Sequence, residues 1–108
     1  MGSQPRMTLA TQSVLKVFLD DPREPRYGFD IAKEAKLATG SLYPILSRLE
    51  QVGWVTSWWE DIDTSMEARP RRRYYQLTPH GEVAASDALR SALKRMTPKA
   101  WRISPEAT

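Results

Sequence analysis

A mainly helical α+β fold is what this sequence predicts: a core of three helices, then a two-stranded hairpin, then one more helix. Three observations carry that expectation. Residues 39–53 place Leu42, Ile45, Leu46, Leu49 and Val52 at three- and four-residue steps, as a helix with one buried face requires. Two stretches rich in aromatic and β-branched residues, 54–63 and 72–77, follow and read as paired strands. Thr78-Pro79 then opens a new helix, with a hydroxyl to cap it and a proline at the first helical position, where no N–H is needed.

Taken in order, residues 8–19 form the first helix, with Ala10, Val14 and Val17 on one stripe that Leu15, Phe18 and Leu19 widen. Asp20-Asp21-Pro22-Arg23-Glu24-Pro25 stops it, because each proline disfavours helix at the residue before it. The second helix, 27–35, carries Phe29, Ile31, Ala32 and Ala35 among charges, and Leu37-Ala38 is the turn after it. For the third helix, Thr39 is the expected N-cap and Gly53 the left-handed residue at its end. Pro44 lies inside it, but its ring presses on the Gly40 carbonyl in the first turn, where disruption is cheapest. Residues 64–70 are polar and long for a tight turn, so a mobile hairpin tip is expected. The final helix runs from Pro79 to about Thr97, ended by Pro98. One domain spans 1–108, with an ordered core at about 8–97 and tails at 1–7 and 98–108; Met7 is an alternative start.

Composition narrows the function. The 108 residues allow a single core, and 41% hydrophobic with 27% charged residues is ordinary for a globular domain. Lys and Arg number 16 against 13 Asp and Glu, a small excess that tilts toward an acidic partner. With no cysteine, disulfides, thiolate zinc sites and cysteine nucleophiles are excluded, which suits a reducing cytoplasm. The single histidine, His80, sits in the first turn of the final helix with no nucleophile or base near it in the pattern, so no enzyme, metal site or cofactor is expected. No apolar run approaches the roughly 20 residues of a membrane span.

Helix, short helix, helix, hairpin, helix is the layout of a winged helix-turn-helix, in which the third helix reads DNA. Its buried stripe leaves Thr39, Gly40, Ser41, Tyr43, Pro44, Ser47 and Arg48 outward, small or hydrogen-bonding groups near the N-terminus, with no acid before Glu50. The plain alternative makes Ser41 and Tyr43 ordinary surface residues. At the hairpin, Arg69, Arg71, Arg72 and Arg73 supply four guanidinium groups for a phosphate backbone or a minor groove. Against that, Glu60, Asp61, Asp63 and Glu67 could pair with them, and strand alternation lets only two or three face the same way. A winged helix used for protein contact, without DNA binding, is the competing function class.

The final helix carries Ala85, Leu89, Ala92 and Met96, with Ala88 and Leu93 beside them, half of a helix-to-helix seam. A second copy would complete it; packing within the chain is the other reading. Trp101 lies beyond this core and could stack a planar or cationic ligand, or clamp the C-terminal segment onto the first helix.

The residues Tyr27-Gly28-Phe29-Asp30-Ile31, Gly40-Ser41-Leu42-Tyr43-Pro44-Ile45-Leu46-Ser47-Arg48-Leu49-Glu50, Gly53-Trp54-Val55 and Arg69-Pro70-Arg71-Arg72-Arg73-Tyr74-Tyr75-Gln76-Leu77-Thr78-Pro79-His80-Gly81 resemble the successive signatures of the PadR-like transcriptional regulators. The resemblance covers about 8–96. It implies a homodimeric winged-helix repressor, often released from its operator by a small aromatic or cationic effector; a twofold dimer, with recognition helices roughly 34 Å apart, demands an inverted-repeat operator. It also implies DNA contacts at Ser41, Tyr43, Pro44 and the arginine-rich wing, with Tyr27 near a phosphate. Many relatives carry an extra C-terminal helical domain, so the short tail here resembles the compact subfamily.

Overall fold

The computed structural model describes residues 4–96; residues 1–3 and 97–108 lie outside the description. Helix α1, Leu9–Asp20, starts at Thr8, whose hydroxyl accepts from the Thr11 N–H at 3.1 Å. Val14, Leu15, Val17 and Phe18 form its buried stripe. Strand β1, Arg26–Tyr27, leads directly into α2, Gly28–Ala35. Lys36 ends α2 in the left-handed region at φ 60°, and the Leu37 N–H reaches back to the Ala32 carbonyl at 2.9 Å.

Helix α3 is Thr39–Gln51, and Thr39 is not its cap. Ala38 holds that position with extended backbone, its carbonyl accepting from the Ser41 and Leu42 N–H groups at 3.0 Å. The tight Lys36 to Ala38 turn fixes the entry of the chain, so backbone geometry starts the helix one residue before the available hydroxyl. Gly53 follows α3 at φ +79°, where a side chain would strain the backbone.

Strands β2, Val55–Trp59, and β3, Arg73–Leu77, pair antiparallel with Val55 opposite Leu77 and Trp59 opposite Arg73. The wing is not a two-stranded sheet as expected: β1 adds to β3, giving the order β1-β3-β2. Two residues are too short to show a period of two, so β1 left no pattern in the sequence. Nor is the hairpin tip an open loop. It contains a one-turn helix, α4, Thr64–Glu67, whose Ser65 and Met66 N–H groups bond the Asp63 carboxylate at 3.0 and 3.4 Å.

Helix α5, Pro79–Met96, begins at Thr78, whose hydroxyl accepts from the Gly81 N–H at 2.8 Å and donates to the Gly53 carbonyl at 2.7 Å. One side chain thus ties the end of α3 to the start of α5. The core gathers Leu15, Phe18, Ile31, Leu42, Leu46 and Leu49 with Trp54, Tyr75, Ala85 and Ala88. Here the seam expected of α5 needs correction. Ala85, Ala88 and Ala92 are buried within the chain itself, where α5 packs on α1. Leu89 is half-buried, and Leu93 is 46% exposed. The side chain of Met96 and all of Trp101 lie outside the described residues.

Candidate nucleic-acid interface

Helix α3 is pinned by Leu42, Leu46 and Leu49, none of which has any exposed surface. The three anchors fix the rotation of the helix, and the opposite side follows from it. Thr39, Gly40, Ser41, Tyr43, Pro44, Ser47 and Arg48 are all exposed. The Tyr43 ring lies along the start of α2: a Cβ built on Gly28 would stand 2.8 Å from the Tyr43 hydroxyl oxygen. Gly28 therefore makes room for the ring that the sequence pattern placed on the reading face.

The four arginines of the wing do not form one patch. The Arg69 guanidinium folds back on Glu60, with Nη1 at 2.7 Å from Oε1 and Nη2 at 3.1 Å from Oε2. That bidentate pair holds the Glu60 carboxyl below its ordinary pKa. Glu60 also accepts from the Arg72 N–H at 3.2 Å, while its own N–H bonds the Arg72 carbonyl at 2.8 Å, so it closes the wing beyond the last strand pair. Arg69, expected as a nucleic-acid ligand, is instead engaged inside the wing. The exposed Arg71 donates from Nε and Nη2 to the Ile62 carbonyl at 3.3 and 3.1 Å.

Arg72, just before β3, and Arg73, its first residue, point to opposite faces, as alternation demands. The Arg72 guanidinium covers the Tyr27 ring at 4.9 Å from its centroid. On that face Tyr27, Tyr74 and Trp58 lie side by side across the three strands, with centroids 6.2 and 6.3 Å apart and Trp58 stacked on Tyr74. Arg73 lies over Trp59 at 5.0 Å and donates to the Ser57 hydroxyl at 2.8 Å. Ser57 in turn donates to Glu50 Oε2 at 2.7 Å. A continuous polar link therefore joins β3, β2 and the last turn of α3. Tyr75, beneath it, has its phenol pKa pushed up by burial, against the pull of Arg73.

Sequence reasoning misses Glu50, Ser57 and Glu60 as members of this site. It takes Glu50 only as the end of an acid-free face, and Glu60 only as one of four neutralising charges. Period-two alternation in 55–59 and 73–77, once the register is known, sets Ser57 beside Arg73. Among the described residues no cluster of three or more His, Asp or Glu groups could hold a metal ion. No helix described is long and apolar enough to cross a membrane.

Three helices, a β-wing over the end of the third and a following helix define a winged helix-turn-helix protein. The transcriptional regulator PadR-like family matches residues 14–87, well over half of the chain, and the chain belongs to that family. Membership sets it among transcription regulators and not among enzymes. No curated protein sequence matches it. Among solved structures, reduced AbfR bound to DNA superposes with a TM-score of 0.65 at 24% identity, over 94% of this chain and 64% of that one. Disulfide-formed AbfR gives 0.63 at 24% identity, over 91% and 61%. The circadian clock associated protein Pex from Anabaena gives 0.60 at 24% identity, over 82% of this chain and 77% of that one. The chain thus spans under two thirds of each of these two AbfR chains, and the likeness at these identities is one of fold.

Proposed function

We propose that this protein binds double-stranded DNA sequence-specifically through α3 and the wing, as a homodimeric repressor at an inverted-repeat operator. The observation that carries the reading is the exposed face of α3, small and polar at Gly40, Ser41 and Ser47 and bearing Tyr43 and Arg48, on a helix locked in rotation by three fully buried leucines. A helix so held presents a fixed set of donors, as base readout in a major groove needs. Family membership supports the reading, as does the similarity in fold to AbfR, a protein seen bound to DNA. On the wing, Arg71 and Arg72 are the arms for phosphate, and Arg72 stacked on Tyr27 brings that tyrosine into the same contact.

A dimer places two α3 helices about 34 Å apart, one turn of DNA. Release by a small effector belongs to the same reading, with its place in the cytoplasm, where the operator is. The effector site expected at Trp101 lies outside the described residues.

Selection of bound DNA from a random pool tests the proposal, and an inverted repeat is the expected result. Binding should then weaken steeply with salt, with a log-log slope of about −0.9 per neutralised phosphate. Tyr43→Ala should relax sequence preference, and Arg71→Ala should weaken all sequences alike by about 1 kcal/mol. Salt-independent or absent binding would replace this reading with a protein-contact module.

A further inference from the structure

Adjacent tryptophans on β2 face opposite ways. Trp58 stacks on Tyr74 on one face of the sheet, whereas Trp59, the last residue of the strand, is 58% exposed and lies outside the core. A period of two puts Trp59 on the face of Ser57 and, across the ladder, of Arg73 and Tyr75. That face runs into the surface of α3. Ser57 bonds Glu50 in the last turn of α3 at 2.7 Å, and the buried Tyr75 phenol lies within electrostatic reach of Arg73, Tyr43 and Glu50. The Arg73 guanidinium, 5.0 Å from the Trp59 ring centroid and bonded to the Ser57 hydroxyl at 2.8 Å, covers one side of the indole.

We propose that Trp59 is a DNA contact of the wing, its ring packed on a deoxyribose of the duplex that α3 reads and its N–H donating to a neighbouring phosphate. The match is chemical: an indole N–H can only donate, a phosphate oxygen can only accept, and the sugar beside it offers C–H surface to the ring. Arg73, lying over that ring, adds the positive charge that a polyanion selects. The acid on this face, Glu50, is engaged by Ser57. Arg72 leaves the wing by the opposite face, so the wing offers a cation to each side, as a hairpin seated in a minor groove between two backbones needs. Contacts to sugar and phosphate position a protein without reading bases, so Trp59 sets affinity and leaves preference to α3. This contact rests on the proposed DNA binding.

Fluorine NMR of the full chain carrying 5-fluorotryptophan tests the contact, with the Trp59 signal identified by its absence from Trp59→Phe and with DNA taken from the selected pool. DNA should move that signal and remove most of its solvent isotope shift. Trp59→Ala should bind operator and unrelated DNA at least about tenfold more weakly, and Trp59→Phe should fall between it and the wild type. The salt slope should stay that of the wild type, since no cation is lost. An unmoved Trp59 signal beside normal DNA binding overturns the proposal alone, as does unchanged affinity or altered preference in Trp59→Ala. A lower salt slope in that variant also overturns it, because the ring would then serve only to hold Arg73. So does a Trp59 signal that shifts with protein concentration before DNA is added, since a second copy then covers the indole. Absence of DNA binding by the wild type removes the regulator reading and this contact with it.

Discussion

Gly28 and Gly81 each face a close neighbour, and the kind of neighbour decides what a methyl group would do there. A Cβ on Gly28 meets the Tyr43 hydroxyl at 2.8 Å, the far end of a side chain that can swing away. Gly28→Ala should therefore keep thermal stability within about 1 kcal/mol of wild type while altering DNA sequence preference through Tyr43. A Cβ on Gly81 would fall 1.9 Å from the Trp54 carbonyl oxygen, which is fixed by the Thr78 N–H at 2.9 Å. Neither backbone can give without lifting α5, so Gly81→Ala should lose about 2–3 kcal/mol in thermal or urea denaturation. Glu60 sets a third expectation, in pH. Its pKa is lowered in the folded wing by the Arg69 hydrogen bonds, so the stabilisation is present above the ordinary glutamate value of about 4.3 and is lost as pH falls through the lowered folded value. Acid should thus open the wing, read by the fluorescence of Trp58 and Trp59, and Glu60→Gln should abolish that step. An unchanged acid transition in the variant would remove Glu60 from this role.

Elements differ in how much of themselves they wrote into the sequence. Helix α3 was legible because thirteen residues give room for its period to repeat, and Leu42, Leu46 and Leu49 are indeed its buried anchors. Its start was not, since Ala38 caps through backbone geometry alone and carries no polar side chain to announce it. The two-residue β1 and the four-residue α4 are too short for their periods to repeat. For the candidate site, the exposed face of α3 could be read directly, as the complement of its apolar stripe. The fate of the wing arginines could not, because it depends on which acid lies across the hairpin and on the β2–β3 register. That register creates the link from Arg73 through Ser57 to Glu50, which sets the wing's position against α3. Ser57→Ala should cost about 1 kcal/mol of stability and weaken binding to all DNA sequences alike, because the proposed binding mode puts preference on α3 and the variant loosens only the wing. Parallel binding titrations on the selected operator and on unrelated DNA check this; a changed preference would place Ser57 in the reading itself.

For the whole molecule, the proposed dimer raises the question of which side of α5 a second copy would use once the chain has covered its own. Helical periodicity gives two adjoining stripes and cannot say which one the monomer covers. In the structure Ala85, Ala88 and Ala92 close against the chain's own core, small enough to let α5 lie near α1. One position round the helix, Ser86 and Leu89 are half-buried and Leu93 is exposed, and this stripe is what a partner would cover. The two stripes therefore separate folding from assembly. Ala85→Leu should overpack the core and lower stability at every protein concentration. Leu93→Glu should leave the fold intact and, in sedimentation, turn a species of twice the chain mass into one of the chain mass. On the operator the consequence is larger than one leucine's packing, because a dimer's second half-site binds at the high effective concentration the first provides. Leu93→Glu should thus lose at least about 100-fold in operator affinity, keep the half-site preference set by α3, and halve the salt slope as the bound phosphates halve. If the variant remains dimeric with full operator affinity, the partner surface lies elsewhere than on this stripe of α5.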